Sequence, residues 1–204
     1  MNEGYQILSL DELEPLVGTN NGEALLLPVR HTLGLRAFGA NAWTSQVGRH
    51  VVPPHEEDSG DEELYAVVRG RAKFTVGDES FDAPAGTLVH VLPGEHRVAI
   101  AEEEGTIVLA VGATPGKAFE RRGWDDVVVA YAHGAAGRVE EGRAIMRDLP
   151  PDGPEWVKPY NLACYEARFG DRDRARAHLN EACALSDDAR AYAEHDSDLD
   201  SIRE

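Results

Sequence analysis

The chain has 204 residues and a formal net charge of −17, with 20 Lys and Arg against 37 Asp and Glu. It offers no basic face to neutralise phosphates, which argues against nucleic acid and against anionic membrane surfaces as partners. Hydrophobic residues at 42% and charged residues at 28% suit a folded chain with a sizeable core and are too apolar for a disordered one.

The start, Met1-Asn2-Glu3-Gly4-Tyr5, has neither a basic n-region nor an apolar h-region, so a cytoplasmic protein without a signal peptide is expected. No apolar run approaches the roughly 20 residues that a spanning helix needs. Cys164 and Cys183 form no CxxC pair and lie on predicted helices in apolar surroundings, where a free thiol packs as a small hydrophobe.

From residue 24 to 120 the chain reads as short β-strands. Leu64 to Val68 is dense in β-formers and stops at Gly70, and Ala72 to Val76 alternates up to Gly77-Asp78. Thr87 to Leu92 runs into Pro93-Gly94, and Arg97 to Ile100 and Thr106 to Val111 follow. Short strands separated by Gly and Pro, without helices long enough for parallel crossovers, argue an antiparallel sandwich or barrel. Phe74, Trp43, Leu92 and Val108 are its expected core.

Within this region His55-Glu56-Glu57 precedes an acidic run that ends at Glu63, and Gly70 follows. Downstream, Gly86, Pro93, Gly94 and His96 stand in order. In an extended segment His55 and Glu57 share a face and Glu56 points away. Imidazoles and carboxylates aimed inward from neighbouring strands make a workable site for a first-row divalent metal. A second reading of the same acidic stretch is a solvated loop that binds no metal. His50 and His90 stand at no motif position and read as strand or surface histidines.

These two motifs, over roughly residues 40–112, resemble those of the cupin superfamily. The first motif departs from the usual pattern in having Glu57 in place of the second histidine, and in the second motif His96 comes one residue early after Gly94. The resemblance implies a double-stranded β-helix (jelly-roll) barrel, all-β in itself. It also implies a metal set of His55, Glu57, Glu63 and His96 around Mn, Fe, Ni or Zn, with a small-molecule ligand held in the barrel.

Gly112 to Gly123 leads out of the barrel, and 121–134 reads as a linker between a 1–120 barrel unit and a 135–204 helical unit. Glu140 to Met146, Pro159 to Phe169 and Arg174 to Leu185 have helical periodicity, with Pro159 suited to a first helical position. Asp196 to Asp200 is an acidic tail expected to fray. The stretch from Tyr160 to Leu185, with Ala163, Gly170-Asp171, Ala175 and Ala182 at the helix contacts, resembles one tetratricopeptide (TPR) repeat. One and a half such repeats are too few for a peptide groove, which takes about three. The helices are therefore expected to cover the barrel or to build a contact between copies, and the protein to form a two-fold dimer.

Two functions from different classes follow. One is a metal-dependent small-molecule protein, an enzyme included. The other is a non-catalytic sensing or scaffolding module that uses its helices for protein contact.

Overall fold

The computed structural model describes residues 4–17, 23–57, 59–151 and 153–203. The chain divides into two compact units, Met1–Arg121 and Arg122–Glu204.

The first unit begins with a 3-10 turn, Leu10–Glu12, then β1 (Leu16–Val17), β2 (Leu25–Leu27) and a short helix α1 (Val29–Leu33). Eight strands follow: β3 (Gly39–Thr44), β4 (His50–His55), β5 (Glu62–Arg69), β6 (Arg71–Val76), β7 (Glu79–Pro84), β8 (Leu88–Val91), β9 (Arg97–Ala101) and β10 (Ile107–Ala113). One sheet has the order β1-β2-β3-β10-β5-β8 and the other β4-β9-β6-β7, with every pairing antiparallel. Successive strands from β3 onward pass from one sheet to the other, except at the β6–β7 hairpin. That winding is a jelly roll, a double-stranded β-helix.

Local chemistry sets the corners. Gly70, between β5 and β6, has φ +69°, and a Cβ there would lie 2.5 Å from Thr106 Oγ1. Only glycine takes this conformation and leaves this space. Between the sheets the core is Val51, Val52, Tyr65, Val67, Ala72, Phe74, Ala83, Val89, Val91, Ala99, Ala101 and Val108, with Trp43 packed against it. Leu92 departs from expectation. It lies beyond the end of β8, where the chain turns at Pro93-Gly94, and is exposed.

The second unit is helical: α2 (Trp124–Ala135), α3 (Val139–Arg147), α4 (Val157–Phe169), α5 (Arg172–Leu185), α6 (Asp187–Ala193) and a 3-10 turn, Ser197–Ile202. The stretch 121–134 is thus mostly helix and not a linker. Asp125 and Asp126 sit in its first turn, where carboxylates favour the helix dipole, and Val128, Val129 and Ala130 are buried. Pro159 is the third residue of α4, still within the turn whose N–H groups have no helical partner. The acidic tail does not fray. Asp196 caps the final turn through Asp198 N, and Leu199 and Ile202 are buried.

The α4–α5 hairpin turns on two residues, Gly170-Asp171, and the Asp171 carboxylate accepts hydrogen bonds from Asp173 N and Arg174 N at 3.0 and 2.9 Å. Ala163, Ala167, Ala175 and Ala182 share one core cluster with Cys164, Leu199 and Ile202. Small side chains there let the helices approach closely. Cys164 and Cys183 are free. No helix among the described residues is long and apolar enough to cross a membrane.

Candidate functional site

The barrel brings His55, Glu57 and Glu63 together, with one ligand-capable atom of each lying within 4.8 Å of the others. His55 ends β4 and Glu63 is the second residue of β5, strands of opposite sheets. Alternation along β5 turns Glu63, Tyr65 and Val67 towards the interior and leaves Leu64 and Val68 exposed. Glu57 follows β4, its carboxylate accepting a hydrogen bond from Ser59 Oγ at 2.7 Å. Asp58, in the same acidic run, lies outside the described residues.

His55 Nδ1 is 2.7 Å from the Pro53 carbonyl oxygen, which can only accept, so this nitrogen carries the hydrogen. The Nε2 lone pair of the neutral ring is then left facing Glu63 Oε2 at 3.6 Å, with the Tyr65 hydroxyl at 3.4 Å. Tyr65 donates its proton to Glu63 Oε2 in a short hydrogen bond. Burial opposes protonation of His55, but the adjacent Glu63 and the Pro53 carbonyl outweigh it and raise the histidine pKa. Burial likewise works to raise the Glu63 pKa, but the adjacent His55, when protonated, and the hydrogen bond from Tyr65 reverse this and hold it below the usual carboxylate value. Burial, then the Glu63 charge, push the Tyr65 pKa far above that of an ordinary phenol, so it remains a donor.

His96 does not join the cluster. It is exposed, and the next residue, Arg97, turns inward in its place with no exposed surface. Odd positions of β9 face the core, as burial of Arg97, Ala99 and Ala101 shows. Arg97 pairs directly with His55 across the β4–β9 ladder. Its Nε is 3.5 Å from Glu63 Oε2, near enough for an ion pair but not hydrogen-bonded. Sequence reasoning missed both Arg97 and Tyr65. The signal for Arg97 was available: counted from Gly94, it occupies the position that His96 misses by one.

His50 and His90 point elsewhere. His50 Nδ1 contacts Glu23 Oε2 at 2.7 Å, and His90 Nε2 contacts Glu62 Oε2 at 3.3 Å.

A second cluster, Cys164, Asp196 and Asp198, sits in the helical unit. Its groups are committed to structure. Asp196 accepts from Tyr160 Oη at 2.9 Å and from Cys164 Sγ at 3.5 Å, while Asp198 accepts from Tyr131 Oη at 3.1 Å and pairs with Arg168 at 3.0 Å. Burial and the aspartates push the Cys164 pKa up, away from the thiolate that binds metals.

No family model matches the chain. An uncharacterised protein of Streptomyces coelicolor is 38% identical over 87 residues, covering 42% of this chain and 73% of the relative. Among solved structures, a cupin protein from Bacteroides fragilis aligns at 20% identity over 60% of this chain and 95% of its own, with a TM-score of 0.42. A predicted oxalate decarboxylase from Thermotoga maritima aligns at 19% identity, 53% and 99% coverage and a TM-score of 0.43. A sugar phosphate isomerase of the cupin superfamily from Silicibacter pomeroyi aligns at 18% identity, 54% and 77% coverage and a TM-score of 0.45. Identities this low carry no activity across, and the fold is already given by the chain's own strand order. The chain belongs to one family with the Streptomyces protein, and the strand order of its first unit is that of a double-stranded β-helix.

Proposed function

We propose that the barrel binds a small polar molecule through a divalent transition metal held by His55, Glu57 and Glu63. The observation that carries this reading is the convergence of those three donors from opposite sheets on one point inside the barrel end. The donor chemistry fits. One imidazole and two carboxylates are ligands for Mn(II), Fe(II), Ni(II) or Zn(II), and three protein ligands leave positions open for a ligand. A metal bound there would act as a Lewis acid on an oxygen of that ligand.

The chain's own groups prepare the site. The Pro53 carbonyl holds the His55 ring in the tautomer whose Nε2 lone pair faces inward. Tyr65 orients Glu63 by hydrogen bonding. Two carboxylates outweigh the single charge of Arg97, so the site stays attractive to a cation.

Elemental analysis of tag-free protein, joined to thermal melts with and without Mn(II), Fe(II), Ni(II) and Zn(II), tests the reading. A metal at 100 times its dissociation constant stabilises the folded chain by about 2.7 kcal/mol. His55→Ala and Glu63→Ala are expected to abolish that rise, while His96→Ala retains it. An unchanged melting temperature in wild-type protein with all four metals would sink the proposal.

A further inference from the structure

Arg97 carries an unmet demand. Its guanidinium has no exposed surface, and neither Nε nor Nη1 has a hydrogen-bond partner. Nη2 reaches the Leu92 carbonyl only at 3.4 Å, a weak bond. Taking a charge out of water is costly, and leaving its buried hydrogen bonds unmade adds to that cost. Folded proteins seldom leave such groups orphaned.

Glu63 does not meet the demand. Its Oε2 already accepts the Tyr65 hydroxyl and faces His55, and Arg97 Nε stands 3.5 Å off without hydrogen-bonding geometry. Exposure falls along this line of contacts, from 33% at the His55 side chain to 15% at Glu63 and 0% at Arg97. His55 is thus the most exposed of the three and Arg97 the most enclosed.

Charge points the same way. Glu57, Glu63 and Arg97, with a neutral His55, sum to a single negative charge. A divalent metal turns this into a single positive one, which one carboxylate neutralises. Arginine with two or more N–H groups to give is the side chain best shaped for that anion.

We infer that the barrel ligand is a small carboxylate whose anionic group is received by Arg97. This rests on the barrel end being the ligand site proposed above; the unpartnered guanidinium carries it without the metal, and the charge balance holds only with the metal bound. The test uses the full chain, first treated with chelator and then loaded with Mn(II). Acetate, glycolate and pyruvate are titrated at millimolar concentration against acetamide and glycolamide, with melting temperature and calorimetric binding as readouts.

The carboxylates are expected to raise the melting temperature saturably and the amides to leave it unchanged. Arg97→Gln should weaken carboxylate binding at least tenfold. Arg97→Lys, which keeps the charge and loses the fork, should fall between the two. A cooperative circular-dichroism melt of each variant shows that it is folded. Should Arg97→Gln not fold, Arg97→Lys and the carboxylate-against-amide titration of chelator-treated wild-type protein, where no metal can take the carboxylate, decide instead. Equal response to carboxylates and amides, or wild-type affinity in folded Arg97→Gln, overturns the inference. Carboxylate binding without any Mn(II) binding would strike the metal reading and leave this one standing. Mn(II) binding with no carboxylate response would do the reverse.

Discussion

At the scale of single residues, two buried arginines make a useful contrast. Arg143 is fully partnered. It donates to both oxygens of Glu166 and to Glu140, and Glu166 Oε2 also accepts from Asp171 N at 3.0 Å. Arg97 is not: neither its Nε nor its Nη1 has a hydrogen-bond partner. Burial would raise the Glu166 pKa, but the bonds from Arg143 and Asp171 outweigh that and hold it low. A carboxylate with a depressed folded pKa contributes stability above its unfolded pKa, about 4.3 for Glu, and loses it as pH falls through the folded value. Glu166→Gln is therefore expected to cost about 3 kcal/mol at pH 7, the scale of a broken buried pair. The gap to wild type should narrow below about pH 4. Urea melts from pH 7 down to pH 3.5 measure it, and a gap constant with pH would refute the role of the charge.

At the scale of elements, the helical unit depends on close approach. Gly142 lies inside α3, where alanine would ordinarily be favoured by about 1 kcal/mol. A Cβ there would stand 2.1 Å from Tyr165 Oη and 2.5 Å from the Ala130 carbonyl oxygen. Overlap of that kind forces backbone shifts that cost about 1–3 kcal/mol or more, and backbone cannot yield as a side chain can. Gly142→Ala is expected to destabilise by about 2 kcal/mol, overlap outweighing propensity. Tyr165→Phe in the same chain removes the nearest obstructing atom and leaves the ring Cζ at 2.8 Å, so the double variant should lose somewhat less than the sum of the single ones. Strict additivity in denaturant melts would contradict this. The same packing explains α2: Ala130 is fully buried in a cluster with Met146, Leu149, Leu162 and Tyr165.

At the scale of the whole molecule, β8 is, among the described residues, one of the two edge strands of the larger sheet. The outward residues Leu64, Val68 and Leu88 of β5 and β8 are 40%, 43% and 65% exposed. Ala66 and Leu88 are cross-strand partners, so these apolar side chains are neighbours on one face. An open edge beside an apolar face is a natural pairing surface. The charge of −17 opposes association, but salt screens it beyond roughly 8 Å. Sedimentation at physiological salt is expected to give twice the chain mass of 22.2 kDa, and Leu88→Glu to shift it towards the monomer. A wild-type monomer would show that this face stays solvated.

The alternating strands and the turns between them were legible in the residues alone, because period-two burial and the left-handed turn at Gly70 are local properties. The sequence also determined that His55 and Glu57 share a face and that Glu63 lies on the next strand. It did not determine which way His96 faces. That depended on register: β9 pairs Arg97 with His55, and period two then sends His96 outward. The acidic tail and α2 were illegible for a similar reason. Leu199, Ile202 and Ala130 are fixed by burial against helices distant in the chain, and no local signal reports such contacts. Tertiary structure alone showed Arg97 to be buried with unmet hydrogen bonds, since satisfaction of a polar group depends on neighbours that folding brings in from elsewhere.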